Sequence, residues 1–338
     1  MKAAWLALAL LCLGSAAAAG PTTPLFAADQ PLRVTIKGPI STLVAKRDSV
    51  PRAGTLTLSG TAEAYPINLM ARGLTRRQGD TCDFPPLRVE LTQKPPANSV
   101  LAHQHRLKLV THCRKQESFQ QKVLLEYAAY RMLNLLTPQS FRARLVNVDY
   151  LNDDGRPYIS RIGFVLEDAD DMAKRNDLFE AKLGDRVAVS SIEPRSAARF
   201  ALFNYMIGNL DWSMRAGPAG EPCCHNGRLL AANKTGAGQL VAVPYDFDYS
   251  GLVDAPYALP PEIFQINSVR DRVYRGYCIH SNDAQALAAE MSRRRGEIIG
   301  VLSSVPGMDE RTRASAASYL AGFFRDLDSG KALKTCVN

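Results

Sequence analysis

Residues 199–254 read RFALFNYMIGNLDWSMRAGPAGEPCCHNGRLLAANKTGAGQLVAVPYDFDYSGLVD. An apolar helical run ends in Gly208-Asn209-Leu210-Asp211-Trp212, and a Gly/Pro-rich loop then carries Cys223-Cys224-His225-Asn226. An apolar strand follows and runs into Tyr245-Asp246-Phe247-Asp248-Tyr249-Ser250-Gly251. Carboxylates and a carboxamide thus cluster at the ends of apolar elements. Ionised Asp is rarely buried without a partner, so an Asp at each end of such a hairpin points to a charged ligand or a metal.

On the N-terminal side, a helix is expected from Ser191-Ile192-Glu193-Pro194 towards Asn209, with Ser191 as a cap. Before it, Glu167-Asp168-Ala169-Asp170-Asp171 opens a short acidic stretch that reads as a crossover. Phe141 to Tyr150 and Ile159 to Leu166 flank the turn Asn152-Asp153-Asp154-Gly155 and read as a β-hairpin. Residues 117–136, ESFQQKVLLEYAAYRMLNLL, contain no Gly or Pro and present a wide apolar face, so they predict a helix that stops before Thr137-Pro138. Short strands are expected at Leu32–Ile36, Thr55–Leu58, Ile67–Ala71, Leu87–Leu91 and Leu107–Val110. On the C-terminal side, residues 254–281 read as a loop rich in Pro, Tyr and Arg. Two helices, roughly 283–303 and 309–327, come after it, the second with Ala317, Leu320, Ala321, Phe324 and Leu327 in one stripe. This order predicts an α+β fold in two lobes: a β-rich lobe with one long helix over 21–168, and a mainly helical lobe over 169–338.

The first 20 residues, MKAAWLALALLCLGSAAAAG, have the charge, apolar core and small-residue end of a secretory signal peptide, cut after Ala17 or Ala19. The apolar stretch is too short to span a bilayer, and no later segment is long enough. The expected location is therefore periplasmic or extracellular. Removing Lys2 takes the formal charge from +8 to +7, with Arg-rich patches such as Arg76-Arg77 and Arg293-Arg294-Arg295 scattered among acidic residues. That excess suits anionic phosphate or envelope polymers as well as a plain exported protein, and gives no ground for a nucleic-acid partner. Of seven cysteines, Cys82, Cys113, Cys223, Cys224, Cys278 and Cys336 remain. An even number in an exported chain argues for disulfides, with 15 possible pairings, and no CxxC spacing supports zinc.

Asp211, Asn226, Asp246 and Asp248 are hard oxygen ligands of the kind Mg²⁺ or Ca²⁺ prefers. Phosphoryl transfer needs a carboxylate to orient the attacking hydroxyl, an amide and a carboxylate to hold the metal on the phosphates, and a Lys fixed by a Glu to grip them. Candidates for each part occur in that setting: Lys108 on a strand, Glu126 in the following helix, Asp211 at a helix end, Asn226 beyond it and Asp246 at a strand end.

These residues resemble the spore-coat CotH family of atypical kinases. The likeness lies in Asn209-Leu210-Asp211-Trp212-Ser213, in His225-Asn226 and in Val243-Pro244-Tyr245-Asp246-Phe247-Asp248-Tyr249-Ser250. Arg72-Gly73-Leu74-Thr75-Arg76 looks like the family's R-G-N-S-S segment, and Phe164-Val165-Leu166-Glu167 like its strand ending in Glu. The matches cover roughly residues 65–255 in order. The chain departs from the pattern in the long loop with a Cys pair between Asp211 and Asn226, in the single Gly of the first segment, and in Leu210 and Tyr245 where the family has Trp.

The resemblance implies a kinase-like two-lobed fold with Asp211 as catalytic base, Asn226 and Asp246 as metal ligands supported by Asp248, and Glu167 at the start of the hinge. Lys108, paired with Glu126, and Arg72 would face the donor, ATP or another nucleotide with Mg²⁺ or Mn²⁺; Arg88 or Lys94 could take the place of Lys108. The acceptor would be a hydroxyl of a protein or envelope molecule. Plainer readings stand beside these. Asp211 could cap or end its helix and bond to the following loop, Asn226-Gly227 could be a turn, Lys108 could lie at a sheet edge, and Glu126 could pair with Lys122. His225 reads as a neighbour that positions its loop. An EF-hand beginning at Asp246 fails because its twelfth position is Tyr257. A catalytically silent scaffold of the same fold, binding an envelope polymer or partner protein, is the alternative function.

Overall fold

The computed structural model describes residues 22–338, so the signal-peptide reading of residues 1–20 lies outside the described residues. Period-2 alternation in the first half of the chain builds seven strands: β1 (Leu32–Lys37), β2 (Arg52–Leu58), β3 (Ala64–Ala71), β4 (Leu87–Leu91), β5 (Arg106–Val110), β6 (Ala143–Leu151) and β7 (Pro157–Leu166). They close into a barrel in the order β1-β2-β3-β4-β5-β7-β6. The β1–β6 pair is parallel and the other pairs are antiparallel. Closure leaves no unpaired edge, and alternate side chains such as Val34, Ile36, Leu56, Ile67, Val89 and Leu107 fill the interior. A seven-residue helix, α1 (Ile40–Lys46), interrupts the strands where none was expected.

Helix α2 (Glu117–Leu136) spans the predicted residues and is sandwiched between the barrel and a second core. Its buried face includes Leu124, Ala128 and Met132. The acidic stretch expected as a crossover is instead helix α3 (Ala169–Arg175), whose cap Asp168 accepts from the Asp170 amide at 3.2 Å. Helix α4 (Pro194–Ile207) is capped by Glu193 and not by Ser191. The Glu193 carboxylate accepts from the Arg195 and Ser196 amides at 3.0 and 2.6 Å, and Pro194 at the first helical position sets where the helix begins.

Strands β8 (Phe179–Glu180), β9 (Gly227–Ala231) and β10 (Val241–Pro244) form a small sheet in the order β10-β9-β8. The helix expected over 283–303 is divided at Arg294 into α5 (Ser281–Arg293) and α6 (Arg295–Gly300), with Gly296 weakening the continuation. Helix α7 (Glu310–Asp328) is capped by Asp309, which accepts from the Thr312 amide at 2.6 Å. The chain is thus α+β, with a mixed seven-stranded sheet in its N-terminal half and most helices in its C-terminal part.

The six cysteines beyond residue 21 pair as Cys82–Cys113, Cys223–Cys224 and Cys278–Cys336. Among the described residues no helix is long and apolar enough to cross a membrane.

Candidate functional site

A cleft of about 240 Å³ lies between the barrel and the helical part, and Arg72, Arg76, Glu126, Asp211, His225, Asn226, Asp246 and Asp248 all line it. The residues named from the central stretch therefore meet, together with Arg72 and Arg76 from the barrel side and Glu126 from α2. Each is placed by a local device. Helix α4 stops at Gly208, whose φ of 66° is the left-handed conformation that glycine tolerates best at a helix end. Asn209 then turns inward: its amide donates to Asn204 Oδ1 at 2.9 Å and its Oδ1 accepts from the Asp211 backbone N–H at 3.1 Å. Arg275 donates to the Leu210 and Trp212 carbonyls at 2.7 and 2.9 Å and lies 4.2 Å over the Trp212 ring. The loop that presents Asp211 is held from both sides.

Asp211 is the hub of a polar triad. His225 Nε2 lies 2.7 Å from Asp211 Oδ1, and Asn226 Nδ2 donates to Asp211 Oδ2 at 2.9 Å and to the Asp211 carbonyl at 2.7 Å. The hydrogen bond to Asp211 raises the His225 pKa, against a smaller opposing effect of burial. Backbone bridges between Ser213 and His225, at 2.9 and 3.0 Å, bring the far end of the long loop back to Asp211. Asp211 does not cap helix α4, which ends at Gly208; its carboxylate bonds to His225 and Asn226 at the far end of the following loop, as the plainer reading of Asp211 had it.

Hairpin register puts Asn226 and Asp246 at the same end. Gly227 pairs with Pro244, so Asn226 and Tyr245 flank that pair, and the Tyr245 N–H donates to the Asn226 carbonyl at 3.2 Å. Asn226 and Asp246 have φ of 47° and 64°, a left-handed backbone that Asn and Asp enter more readily than most residues. Tyr130 Oη, from α2, accepts the Asp246 N–H at 2.9 Å, and its ring packs 4.6 Å from Phe247.

One turn before Tyr130, Glu126 is buried. Its nearest cation is Arg76, whose Nη1 lies 3.7 Å from Glu126 Oε2 and equally far from Asp248 Oδ2. Arg76 is anchored by donating from Nη2 to the Thr111 carbonyl at 2.7 Å, and Tyr257 Oη donates to Asp248 Oδ2 at 3.0 Å. Burial, and then the charge of Asp246, push Asp248 up to about 7. Burial followed by the charge of Asp248 pushes Glu126 well above the usual carboxylate range. The acidic groups here outnumber the cations available to them.

The expected Lys108–Glu126 pair does not form. Lys108 Nζ lies 3.8 Å from Asp168, which also accepts from Arg106 Nε at 2.9 Å. The reason is register: Val110, not Lys108, reaches the cleft, and Lys108 stands one strand period, about 6.6 Å, nearer Asp168. Glu167 does not face the cleft either. Its carboxylate is closed off in a bidentate pair with Arg175, at 3.1 and 2.9 Å, and accepts the Arg142 N–H at 2.8 Å. Arg72 lines the cleft, and its Nη1 is buried with no hydrogen-bond partner.

The residues missed from sequence are Arg76 and Tyr130. Arg76 stood in a quoted segment without a role. Tyr130 follows Glu126 at i+4, so it shares that helix face, a spacing that could have flagged it.

The donor set fits a hard cation. Asn226 spends its nitrogen on Asp211, which leaves its oxygen for a ligand, and Asp246 and Asp248 add carboxylate oxygens without enough positive charge beside them. Among the described residues no three carboxylate, imidazole or thiol groups are drawn together as a ready chelate. No family model matches the chain and no curated protein matches it, so the cleft is read from its own chemistry.

Proposed function

We propose that the protein is an exported phosphotransferase with a kinase-like, CotH-like fold, moving a phosphoryl group from a phosphoanhydride donor, for which a nucleotide is the family's pattern, to a hydroxyl of a protein or envelope molecule. The observation that carries this reading is the convergence of Asp211, Asn226, Asp246 and Asp248 in one cleft, with Arg72 and Arg76 facing them from the barrel side. Three disulfides support an oxidising location.

Asp211 accepts the proton of the incoming hydroxyl and aims its oxygen. Both its carboxylate oxygens already have donors, yet each keeps a lone pair for a hydroxyl. His225 holds the carboxylate in place and shares the proton load. Asn226 and Asp246 would hold Mg²⁺ or Mn²⁺, which when bound supplies charge neutralisation on the transferring phosphates; two protein oxygens plus substrate phosphates is a usual Mg²⁺ arrangement. Arg76 keeps Glu126 and Asp248 oriented, and so takes the place beside Glu126 that was expected of Lys108.

The catalytically silent scaffold remains the second reading, favoured by one observation: Lys108 turns to Asp168 and away from Asp246 and Glu126. Asp211→Asn separates the two. Phosphoryl transfer to a hydroxyl acceptor should fall at least 100-fold with the circular-dichroism spectrum and melting midpoint unchanged, and transfer at the wild-type rate would rule out the role of Asp211.

A further inference from the structure

A second cavity, of about 390 Å³, also borders α2, and among the described residues it shares no lining residue with the cleft. One helix face builds its first wall: Ser118, Gln121, Lys122 and Leu125 recur at i, i+3, i+4 and i+7 along α2. The start of α7 builds the second, with Arg311, Thr312 and Ser315. Gln121 pins the two walls together, its Nε2 donating to the Gly307 carbonyl at 3.0 Å and its Oε1 accepting the Asp309 N–H at 3.1 Å. Leu252, Asp254 and Arg270 close the remaining side.

The charges around this space do not cancel. Lys122, Arg270 and Arg311 bring three cations, and Asp254 and Asp309 bring two carboxylates. Both carboxylates are already engaged: Asp309 accepts the Thr312 N–H at 2.6 Å as the cap of α7, and Asp254 takes Arg270 at 3.4 Å. Arg270 is fixed further, 4.5 Å over the Tyr319 ring, and its carbonyl accepts from Tyr319 Oη at 3.1 Å. Lys122 is half-buried. Burial lowers its pKa, the charge of Asp254 opposes that, and the charge of Arg270 adds to it. An ammonium taken from water near a second cation is relieved by an anion. The hydroxyls of Ser118, Thr312 and Ser315, on the same walls, are further donors for one.

We propose that this cavity binds a phosphate group as its dianion between Lys122, Arg270 and Arg311, either as the free anion or on a phosphorylated side chain. Cations drawn from α2, α7 and the loop before α5 come at the space from three directions. That arrangement suits the three or four acceptor oxygens of a tetrahedral dianion better than the two of a planar carboxylate. The site does not depend on the phosphotransferase reading, but it adjoins the same elements. Lys122 stands one helical turn before Glu126, and Leu252 and Asp254 follow Asp248 in the chain. Within that segment the Gly251 and Leu252 N–H groups donate to the Gly208 and Ile207 carbonyls at 3.0 and 2.9 Å, at the helix end that presents Asp211.

The test is calorimetric titration of the full mature protein at about pH 7.5, where phosphate is mostly dianionic, with sodium phosphate, N-acetyl-phosphoserine methylamide, its unphosphorylated form and sodium acetate. It is repeated on Lys122→Gln, the charge-retaining Lys122→Arg, Arg311→Gln at an exposed position, and Arg72→Gln in the cleft. Circular dichroism checks the fold of each. Both phosphate compounds should bind, and acetate and the unphosphorylated form should not. Affinity should fall about tenfold in Lys122→Gln and in Arg311→Gln, persist in Lys122→Arg and stay unchanged in Arg72→Gln. Tighter binding of the phosphoserine compound assigns the site to a phosphorylated side chain, and equal or tighter binding of sodium phosphate assigns it to the free anion. A loss confined to Arg72→Gln places the anion in the cleft and overturns the site. So does acetate binding as tight as phosphate, unchanged affinity in folded Lys122→Gln and Arg311→Gln, or no binding of either phosphate compound by the wild type.

Discussion

Arg76 and His112 show how much single buried residues decide here. Arg76 is the one cation close to both Glu126 and Asp248 in the described structure, at 3.7 Å from each. Removing one member of a buried ionic cluster costs about 3–5 kcal/mol because it strands the other charges. Glu126 and Asp248 can protonate to relieve that, so Arg76→Met should lose about 3 kcal/mol in urea unfolding, and Arg76→Lys clearly less. Equal stability of Arg76→Met and wild type would remove Arg76 from this role.

His112 is buried against Phe84, ring centroids 4.7 Å apart, with neither ring nitrogen hydrogen-bonded. Burial, and then the charges of Arg161 and Arg76, push its pKa down to about 3. Between that value and the ordinary His pKa of about 6.5, the unfolded chain binds a proton that the folded chain refuses. Stability from this group is complete above about pH 6.5 and is lost as pH falls, at up to about 1.4 kcal/mol per pH unit. Unfolding free energies measured at pH 7.5 and pH 5 should therefore differ less in His112→Phe than in wild type. An identical pH dependence would show that His112 titrates normally.

At the scale of elements, hairpin β9–β10 and helix α2 bring the site together. Gly227 sits under Phe200, where an added Cβ would meet the ring at 2.9 Å. Gly227→Ala should cost about 1–3 kcal/mol by overpacking. Asn226, a metal ligand under the proposed function, is the preceding residue, so Mg²⁺ should raise the melting midpoint of the wild type and raise that of Gly227→Ala less. A hit to stability with a full Mg²⁺ response would mean that the hairpin end moves independently of its packing. Tyr130→Phe deletes the acceptor of the Asp246 N–H and should cost about 1–2 kcal/mol, read by thermal unfolding.

These elements also mark where sequence reading succeeds. Helix α2 was legible to the residue because its apolar face, its lack of Gly and Pro, and the stop at Thr137-Pro138 are all local signals. The cap of α4 was misplaced by two residues because Ser191 and Glu193 are both competent acceptors, and the position of Pro194 decided between them.

At the scale of the whole molecule, disulfides tie distant segments to the two cores. Cys278–Cys336 closes a separation of 58 residues and fastens the C-terminus beside α5. The chain-entropy estimate for such a loop is about 4 kcal/mol. The Cys278→Ser/Cys336→Ser double variant should therefore unfold at a markedly lower denaturant midpoint. An unchanged midpoint would mean that the packed helices alone hold the terminus. Cys82–Cys113 fastens the segment following Arg76 near Thr111, which anchors the Arg76 guanidinium.

Period-2 alternation, one long helix, Gly208 and the left-handed-tolerant Asn226 and Asp246 are local properties, so the sequence by itself determined the α+β order, most of the strands and the acidic half of the cleft. It also determined that six cysteines should pair, though not how. The basic half was decided only by the tertiary structure. Whether Lys108 or Arg76 meets Glu126 depends on which strand position reaches the cleft once the barrel closes, a difference of one strand period. That closure pairs β1 with β6 across more than a hundred residues of chain, and such non-local register leaves no mark in the local pattern.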